Sequence, residues 1–371
     1  MTQTRKKALA HEEPAGFGSK TPFPRYFSTE LGCMYLGDSL SFLRNQVADA
    51  TVDLIVTSPP FGLVRKKGYG NVDADRYVEW FRPFGEQFRR VLKPNGSLVL
   101  DIGGSWNPGQ PTRSLYHFEL LLMLCRDAGF HLAQDFIWWN PAKLPTPAEW
   151  VTVRRIRIKD AVDYIWWLSP SPWPRADNRR VLAPYSESMQ VLLKNGYRAK
   201  LRPSGHDISE KFAVDNGAAI PPNLLAIPNT ESNSYYLRYC REHELKPHPA
   251  RFPAELPEYF VRLLTDPGDF VLDPFAGSCV TGEVAERLGR RWLCSELVEE
   301  YLQGAQARFS PEARKQTQTV LFPGSGLAKN ERTSYRVFHP AALWNSVDHG
   351  CLPQDGGRKR RHISEPKSDA K

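Results

Sequence analysis

Val271-Leu272-Asp273-Pro274-Phe275-Ala276-Gly277-Ser278, followed two residues later by Thr281-Gly282, decides the fold of this chain. A short apolar run ending in an acid, then a turn of small residues, then a helix-forming segment is the layout of a βα turn that receives a nucleotide-like ligand. Gly277 lets such a ligand approach the backbone closely, and Asp273 offers acceptor oxygens to polar hydrogens. The stretch is neither Gly-x-Gly-x-x-Gly nor a phosphate-gripping loop with its lysine. The next predicted strand, over 292–296, ends in Glu296, which lies 23 residues after Asp273. That is close to the spacing at which an acid meets a ribose in dinucleotide folds, about 20 residues. The bland alternative is a glycine-containing turn with an exposed glutamate.

Outward from this stretch, strand and helix signals alternate. On the N-terminal side the pattern predicts strands over 33–36, 52–57, 97–102 and 130–138. Helices are predicted over 39–46, 76–92 and 116–128, with Lys93–Gly96 as a tight turn. Val52–Thr57 is a largely apolar run rich in β-branched residues, the mark of a strand buried in a parallel sheet. A strand over 161–168 follows. On the C-terminal side come a helix over 258–265, a strand over 270–273, and helices over 281–288 and 299–309. Such alternation predicts an α/β doubly wound sheet. Between about 140 and 247 the chain is rich in Pro, Trp, Arg, Ser and Asn and mostly irregular, which marks a functional insertion. Residues 1–29 read as a disordered lead-in, and residues 311–371 as a weakly structured basic tail.

A second motif, Thr57-Ser58-Pro59-Pro60-Phe61, closes the buried strand over 52–57. Ligands in open α/β sheets sit beyond the carboxyl ends of the strands, so chemistry is expected here. The two prolines give a rigid turn and supply no N–H, leaving carbonyls to accept hydrogen bonds. With the Ser58 hydroxyl and the flat face of Phe61, the turn suits a planar ring that carries an amino group. Two acceptors, Ser58 Oγ and the Pro59 carbonyl, would favour a pyramidal amino nitrogen with its lone pair aimed at a methyl donor. Alone, Ser-Pro-Pro reads better as a plain turn after a strand; the signal sharpens because this is the only Pro-Pro-aromatic triplet in the sequence.

Composition restricts the class of protein. The 371 residues are 41% hydrophobic and 24% charged, ordinary for a globular chain. The net charge of +8 and a pI near 9.1 favour a polyanionic partner such as nucleic acid, although Arg358–Arg361 supplies much of the excess. No apolar run approaches the length that spans a bilayer, and Met1–Lys20 lacks the pattern of a secretory signal. A soluble cytoplasmic protein without membrane association is expected. The six cysteines are scattered with no Cys-x-x-Cys pair, which argues against a zinc site and gives no hint of a disulfide framework, so no metal is expected.

Together the two motifs resemble those of the amino-methylating DNA methyltransferases. Ser-Pro-Pro-Phe is similar to the catalytic tetrapeptide of the cytosine-N4 branch; the adenine-N6 branch more often has Asp or Asn at position 58. Asp-Pro-Phe-Ala-Gly-Ser resembles the loop that binds S-adenosylmethionine, except that Cys279 stands where a second glycine is common. The order here, catalytic motif first, matches the circularly permuted β group. Within that group, one type of restriction-associated modification methylase is also similar over Met34–Leu40, Arg65–Lys67, Tyr69-Gly70-Asn71, Arg202–Ile208, Ile220–Leu225 and His248–Pro253. The likeness runs from about residue 30 to 310.

That resemblance implies a Rossmann-like methyltransferase sheet whose first two strands come from the C-terminal part of the chain. Residues 30–140 would be the catalytic half, 141–247 the end of the catalytic sheet with the target-recognition region, and 248–310 the half that binds S-adenosylmethionine. It assigns Ser58, Pro59, Pro60 and Phe61 to catalysis. It assigns Asp38, Phe252, Asp273, Phe275, Ala276, Gly277, Ser278, Thr281 and Glu296 to the cofactor; Asp38 and Thr281 also read as helix caps. Arg65, Lys66, Lys67, Arg202, Ser204 and His206 become candidates for DNA contact, against the plainer reading of solvated surface and turn residues. The implied substrate is double-stranded DNA, with a cytosine rotated out of a short site, CAGCTG on this likeness. The implied partner is a cognate restriction endonuclease encoded nearby, and the enzyme would act as a monomer. No cysteine follows a proline, which disfavours carbon-5 methylation. Adenine-N6 methylation, a methylase of RNA or protein, and a catalytically silent DNA-binding protein are the alternative readings.

Overall fold

Each residue of Val52–Thr57 is buried, the pattern of a strand covered on both faces. The computed structural model describes residues 23–63, 72–196, 200–201, 207–208, 214–229 and 234–316. All belong to one of the two units into which the chain divides, residues 1–333. In chain order the elements are β1 (Arg25–Ser28), β2 (Gly32–Leu36), α1 (Ser39–Gln46), β3 (Val52–Thr57), α2 (Tyr77–Val91) and β4 (Leu92–Ile102). Next come α3 (Tyr116–Arg126), β5 (His131–Trp139), β6 (Val162–Ser169), α4 (Glu187–Asn195), β7 (Lys200–Leu201), β8 (Asp207–Ile208) and β9 (Leu224–Ala226). The last are α5 (Tyr235–Glu242), α6 (Glu255–Leu264), β10 (Phe270–Asp273), α7 (Val280–Arg287), β11 (Arg291–Glu296), α8 (Glu299–Gln306) and α9 (Pro311–Gln316).

Nine strands form one sheet in the order β1-β2-β11-β10-β3-β4-β6-β5-β9. From β2 to β4 neighbours are parallel, and β6 enters antiparallel between β4 and β5. The C-terminal strands β10 and β11 lie between β2 and β3, which is the permuted order. Parallel strands need crossovers that cover the sheet. Phe42 of α1, Phe81, Phe84 and Phe88 of α2, and Leu120 and Leu124 of α3 fill one face. Phe260 of α6, Val284 of α7 and Leu302 of α8 fill the other. Helix α2 is amphipathic because Tyr77, Phe81, Phe84 and Phe88 recur every three or four residues and all are buried. The doubly wound α/β expectation therefore holds.

Four expectations are corrected. Arg25–Ser28, placed in the disordered lead-in, pairs antiparallel with β2, and Phe23 packs against Tyr35 and Phe42. Aromatic residues there cover a sheet edge that composition alone could not reveal. Lys93–Gly96, expected as a turn between helix and strand, is a bulge inside β4. Two steps along β3, from Val52 to Leu54, face five along β4, from Leu92 to Ser97. The Lys93 ammonium then reaches the buried Asp53 carboxylate at 2.8 Å. The region after residue 140 returns to the sheet again in β9, which pairs parallel with β5. Finally, the tail opens with a helix, α9. No helix among the described residues is long and apolar enough to cross a membrane.

Candidate active site

Because β2, β11, β10, β3 and β4 run parallel, their carboxyl ends share one edge of the sheet. Asp38 follows β2, Glu296 ends β11, Asp273 ends β10, Thr57-Ser58 ends β3 and Asp101 lies one residue from the end of β4. This edge gathers the two motifs into one place. Thr57 Oγ1 donates to Asp273 Oδ1 at 2.7 Å across 216 residues of sequence.

The loop after β10 is braced from within. Thr281 Oγ1 donates to Asp273 Oδ2 at 2.7 Å, and the Phe275 N–H donates to Oδ1 at 3.1 Å. Burial pushes the Asp273 carboxyl up to about 6, against the pull of the two threonine hydroxyls and the Phe275 N–H. Asp273, Ser278 and Thr281 are all buried, and the Ser278 carbonyl accepts from Arg308 Nε at 2.8 Å. These three side chains were expected to touch the cofactor, and Thr281 alternatively to cap its helix. Each also makes a side-chain hydrogen bond within the chain, Ser278 Oγ accepting from Arg308 Nη2 at 3.2 Å, and these bonds brace the loop. Cys279 N-caps α7 by position and has φ +56°. The backbone there is left-handed, a conformation that glycine adopts without the steric cost Cys279 bears. Gly277, φ +52°, lies so close to His248 that an added Cβ would sit 3.0 Å from the imidazole.

Glu296 closes the loop from the other side. One carboxylate oxygen accepts from the Gly277 N–H at 2.9 Å and the other from the Val298 N–H at 2.9 Å. The Leu297 N–H also faces the carboxylate, which leaves one of its roughly four lone-pair sites for a ribose hydroxyl, and burial raises the Glu296 carboxyl above the ordinary range. Asp38 is exposed and caps α1, accepting from the Ser41 N–H at 2.8 Å. Ala276 N–H donates to the Ser295 carbonyl at 3.0 Å, while the Phe275 ring packs at a tilt against Trp80 and Phe84. This set of groups fits S-adenosylmethionine. It offers acids at neighbouring strand ends, a close glycine approach, and no lysine or arginine between 273 and 281 that would suit a phosphate.

On the catalytic side, Ser58 Oγ donates to Asp101 Oδ2 at 3.0 Å. With its hydrogen so engaged, the Ser58 oxygen presents lone pairs to an incoming amino group. Tyr77 Oη donates to the Pro60 carbonyl at 2.8 Å, so one of the two proline carbonyls expected to be free is already taken. Phe61 is half-buried and lies against Gly103, where a Cβ would come 2.4 Å from its ring. Phe252 lines a small cavity together with Thr57 and Asp101, and it packs against the core cluster that includes Ala276 and Cys279. Arg65, Lys66, Lys67, Arg202, Ser204 and His206 lie outside the described residues.

Sequence reasoning missed Asp101 and its surroundings. Asp101 is buried and its Oδ1 has no partner among the described residues. Burial first, then Asp163, raise its carboxyl well above the ordinary range; Ser58 and Lys143 pull it back. Asp163 is held by Lys143 Nζ at 3.2 Å to both oxygens. The available signal was a single acid inside the otherwise apolar run Ser97–Ile102.

A parallel sheet with an S-adenosylmethionine-type loop joined to a Ser-Pro-Pro-Phe turn defines an amino-directed DNA methylase. The model of the DNA methylase family matches residues 52–307. The chain belongs to that family, and S-adenosylmethionine is its methyl donor. More particularly, it is 48% identical over 312 residues to the type II methyltransferase M.PvuII of Proteus hauseri, covering 83% of this chain and 91% of that one. It is 26% identical over 285 residues to the type II methyltransferase M.BglII of Bacillus subtilis, covering 76% and 70%. Among solved structures, the cytosine-N4-specific PvuII DNA methyltransferase superposes with a TM-score of 0.63 at 42% identity, covering 79% of this chain and 90% of that one.

Proposed function

We propose that this protein is the modification methylase of a restriction–modification system, methylating N4 of a flipped cytosine in a short duplex site, CAGCTG. The observation that carries this is the hydrogen bond from Ser58 to the buried Asp101, set beside a loop suited to S-adenosylmethionine and tied to it through Thr57 and Asp273. Likeness to M.PvuII over most of both chains supports cytosine-N4 as the base and atom. A cognate endonuclease encoded nearby, action as a monomer on each strand of a palindrome, and a cytoplasmic location complete the proposal.

In this mechanism a cytosine leaves the duplex and lies against Phe61; lost stacking costs a few kcal/mol, offset by contacts in the pocket. Its amino hydrogens meet Ser58 Oγ and the Pro59 carbonyl, which turns the nitrogen lone pair outward. Bound S-adenosylmethionine supplies the methyl group: the nitrogen lone pair forms the N–C bond, and the pair from the breaking C–S bond stays on sulfur. As positive charge develops on nitrogen, an amino proton passes to Ser58 Oγ while the Ser58 hydrogen passes to Asp101 Oδ2. The chain's contribution is positioning and proton acceptance, with no covalent enzyme intermediate.

Incubation with labelled S-adenosylmethionine and a panel of short duplexes, followed by digestion to nucleosides, tests the proposal. N4-methylcytosine confined to CAGCTG is expected. Label in N6-methyladenine, in RNA or in protein, or no label at all, would overturn it.

A further inference from the structure

The cluster behind Ser58 reaches beyond the catalytic motif, into the segment that follows β5. Strands β4 and β6 are antiparallel, with Asp101 opposite Ile165 and Ile102 opposite Tyr164. Side chains two apart on one strand share a face, so Asp163 stands diagonal to Asp101 on the same side of the sheet. An added Cβ at Gly103 would lie 2.9 Å from Asp163 Oδ1 and 2.4 Å from the Phe61 ring. Asp163 is therefore within one small residue of the surface offered to the base. Lys143, four residues past the end of β5, holds both Asp163 oxygens.

We propose that Lys143 and Asp163 are positioning residues for the methyl transfer, keeping Asp101 ready to take the proton that leaves the amino group through Ser58. This rests on the proton-accepting role of Asp101 proposed above. Two carboxylates and one ammonium share a site largely shielded from water. Asp163 disfavours a negative Asp101 and Lys143 favours it, so the pair adjusts the acceptor in opposite senses. The other groups around the cluster do not duplicate that control. Tyr116 of α3 gives its hydroxyl to the Gly103 carbonyl, and Tyr77 of α2 gives its own to Pro60. Arg113, which precedes α3, is committed to Asp160 at 2.8 Å, and Arg157 reaches the same oxygen at 2.9 Å. On the far wall Phe252, Leu256 and Phe260 are apolar, and Asp273 is tied to Thr57 and Thr281.

The test is the pH dependence of single-turnover methylation of a CAGCTG duplex at saturating S-adenosylmethionine. The ionised Asp101 is the active form, so the rate rises with pH through its titration. Lys143→Met removes the group that favours ionisation and should move that limb to higher pH, by about one to three units. Lys143→Arg should keep the wild-type limb. Asp163→Asn should move it to lower pH. Affinity for S-adenosylmethionine should not change in any of them. A uniform loss of rate with the limb unmoved in both Lys143→Met and Asp163→Asn overturns the inference. Asp101→Asn separates the two levels: if it methylates at the wild-type rate, the proton-accepting role itself fails. Carbon-13 titration of the Asp101 carboxyl reads the same effects without turnover: a midpoint raised in Lys143→Met and lowered in Asp163→Asn, relative to the unsubstituted enzyme, supports the inference, and an unmoved midpoint in both overturns it.

Discussion

Thr57 and Asp273 are 216 residues apart in sequence and joined by a 2.7 Å hydrogen bond. Thr57 is the residue before Ser58, and Asp273 begins the cofactor loop, so one bond fixes the distance between the two reacting groups the enzyme must align. Its worth is high because Asp273 is 1% exposed. Without Thr57, Asp273 Oδ1 would keep the Phe275 N–H alone, with no water to replace the lost donor.

Thr57→Val keeps the shape and removes that donor. Unfolding in denaturant should show a loss of about 1–3 kcal/mol, with affinity for S-adenosylmethionine also reduced. Unchanged stability would mean that the bond is not formed.

Ser58→Ala removes the link between the amino group and Asp101 while leaving the cofactor loop intact. The methylation rate should fall by about 10²–10⁴-fold, and calorimetric titration should find S-adenosylmethionine bound as before. A rate near wild type would remove Ser58 from the mechanism.

Gly103→Ala places a methyl group 2.4 Å from the Phe61 ring and 2.9 Å from Asp163 Oδ1. Neither can yield without leaving the base surface, so the rate at saturating DNA should fall while cofactor affinity holds. A variant with wild-type kcat would show that Phe61 does not set the position of the base.

His117 provides a pH prediction outside the chemistry. It is fully buried among Tyr116, Phe118 and Tyr164, with neither ring nitrogen partnered among the described residues. Burial, aided by Arg113, lowers it from the ordinary 6.5 to about 4. The unfolded chain then binds more protons than the folded one between those values. Its contribution to stability is complete above pH about 6.5 and is lost as pH falls toward 4. His117→Phe should reduce the decline in Tm over that window. An identical decline in both proteins would exclude His117 as its source.

Residues close in sequence declared most of the fold. The buried strand β3, the stripe of aromatics in α2 and the strand–turn–helix at Asp273 each depend on local periodicity and turn chemistry, and the structure forms them nearly where periodicity puts them. Both motifs could be read because a rigid proline turn and a tight glycine turn need particular residues in unbroken order.

Partners brought from afar could not be read in that way. The sequence alone determined that Ser58 and Asp273 end strands of an α/β sheet and that a planar amino compound and a nucleoside suit them. The tertiary structure alone decided that Asp273, Ser278 and Thr281 brace their loop with bonds inside the chain, that Asp101 stands behind Ser58, and that Lys143 and Asp163 stand behind Asp101. The physical reason is that periodicity fixes which face a side chain takes, whereas a hydrogen-bond partner is fixed by strand order and register. Those come from how the whole sheet packs.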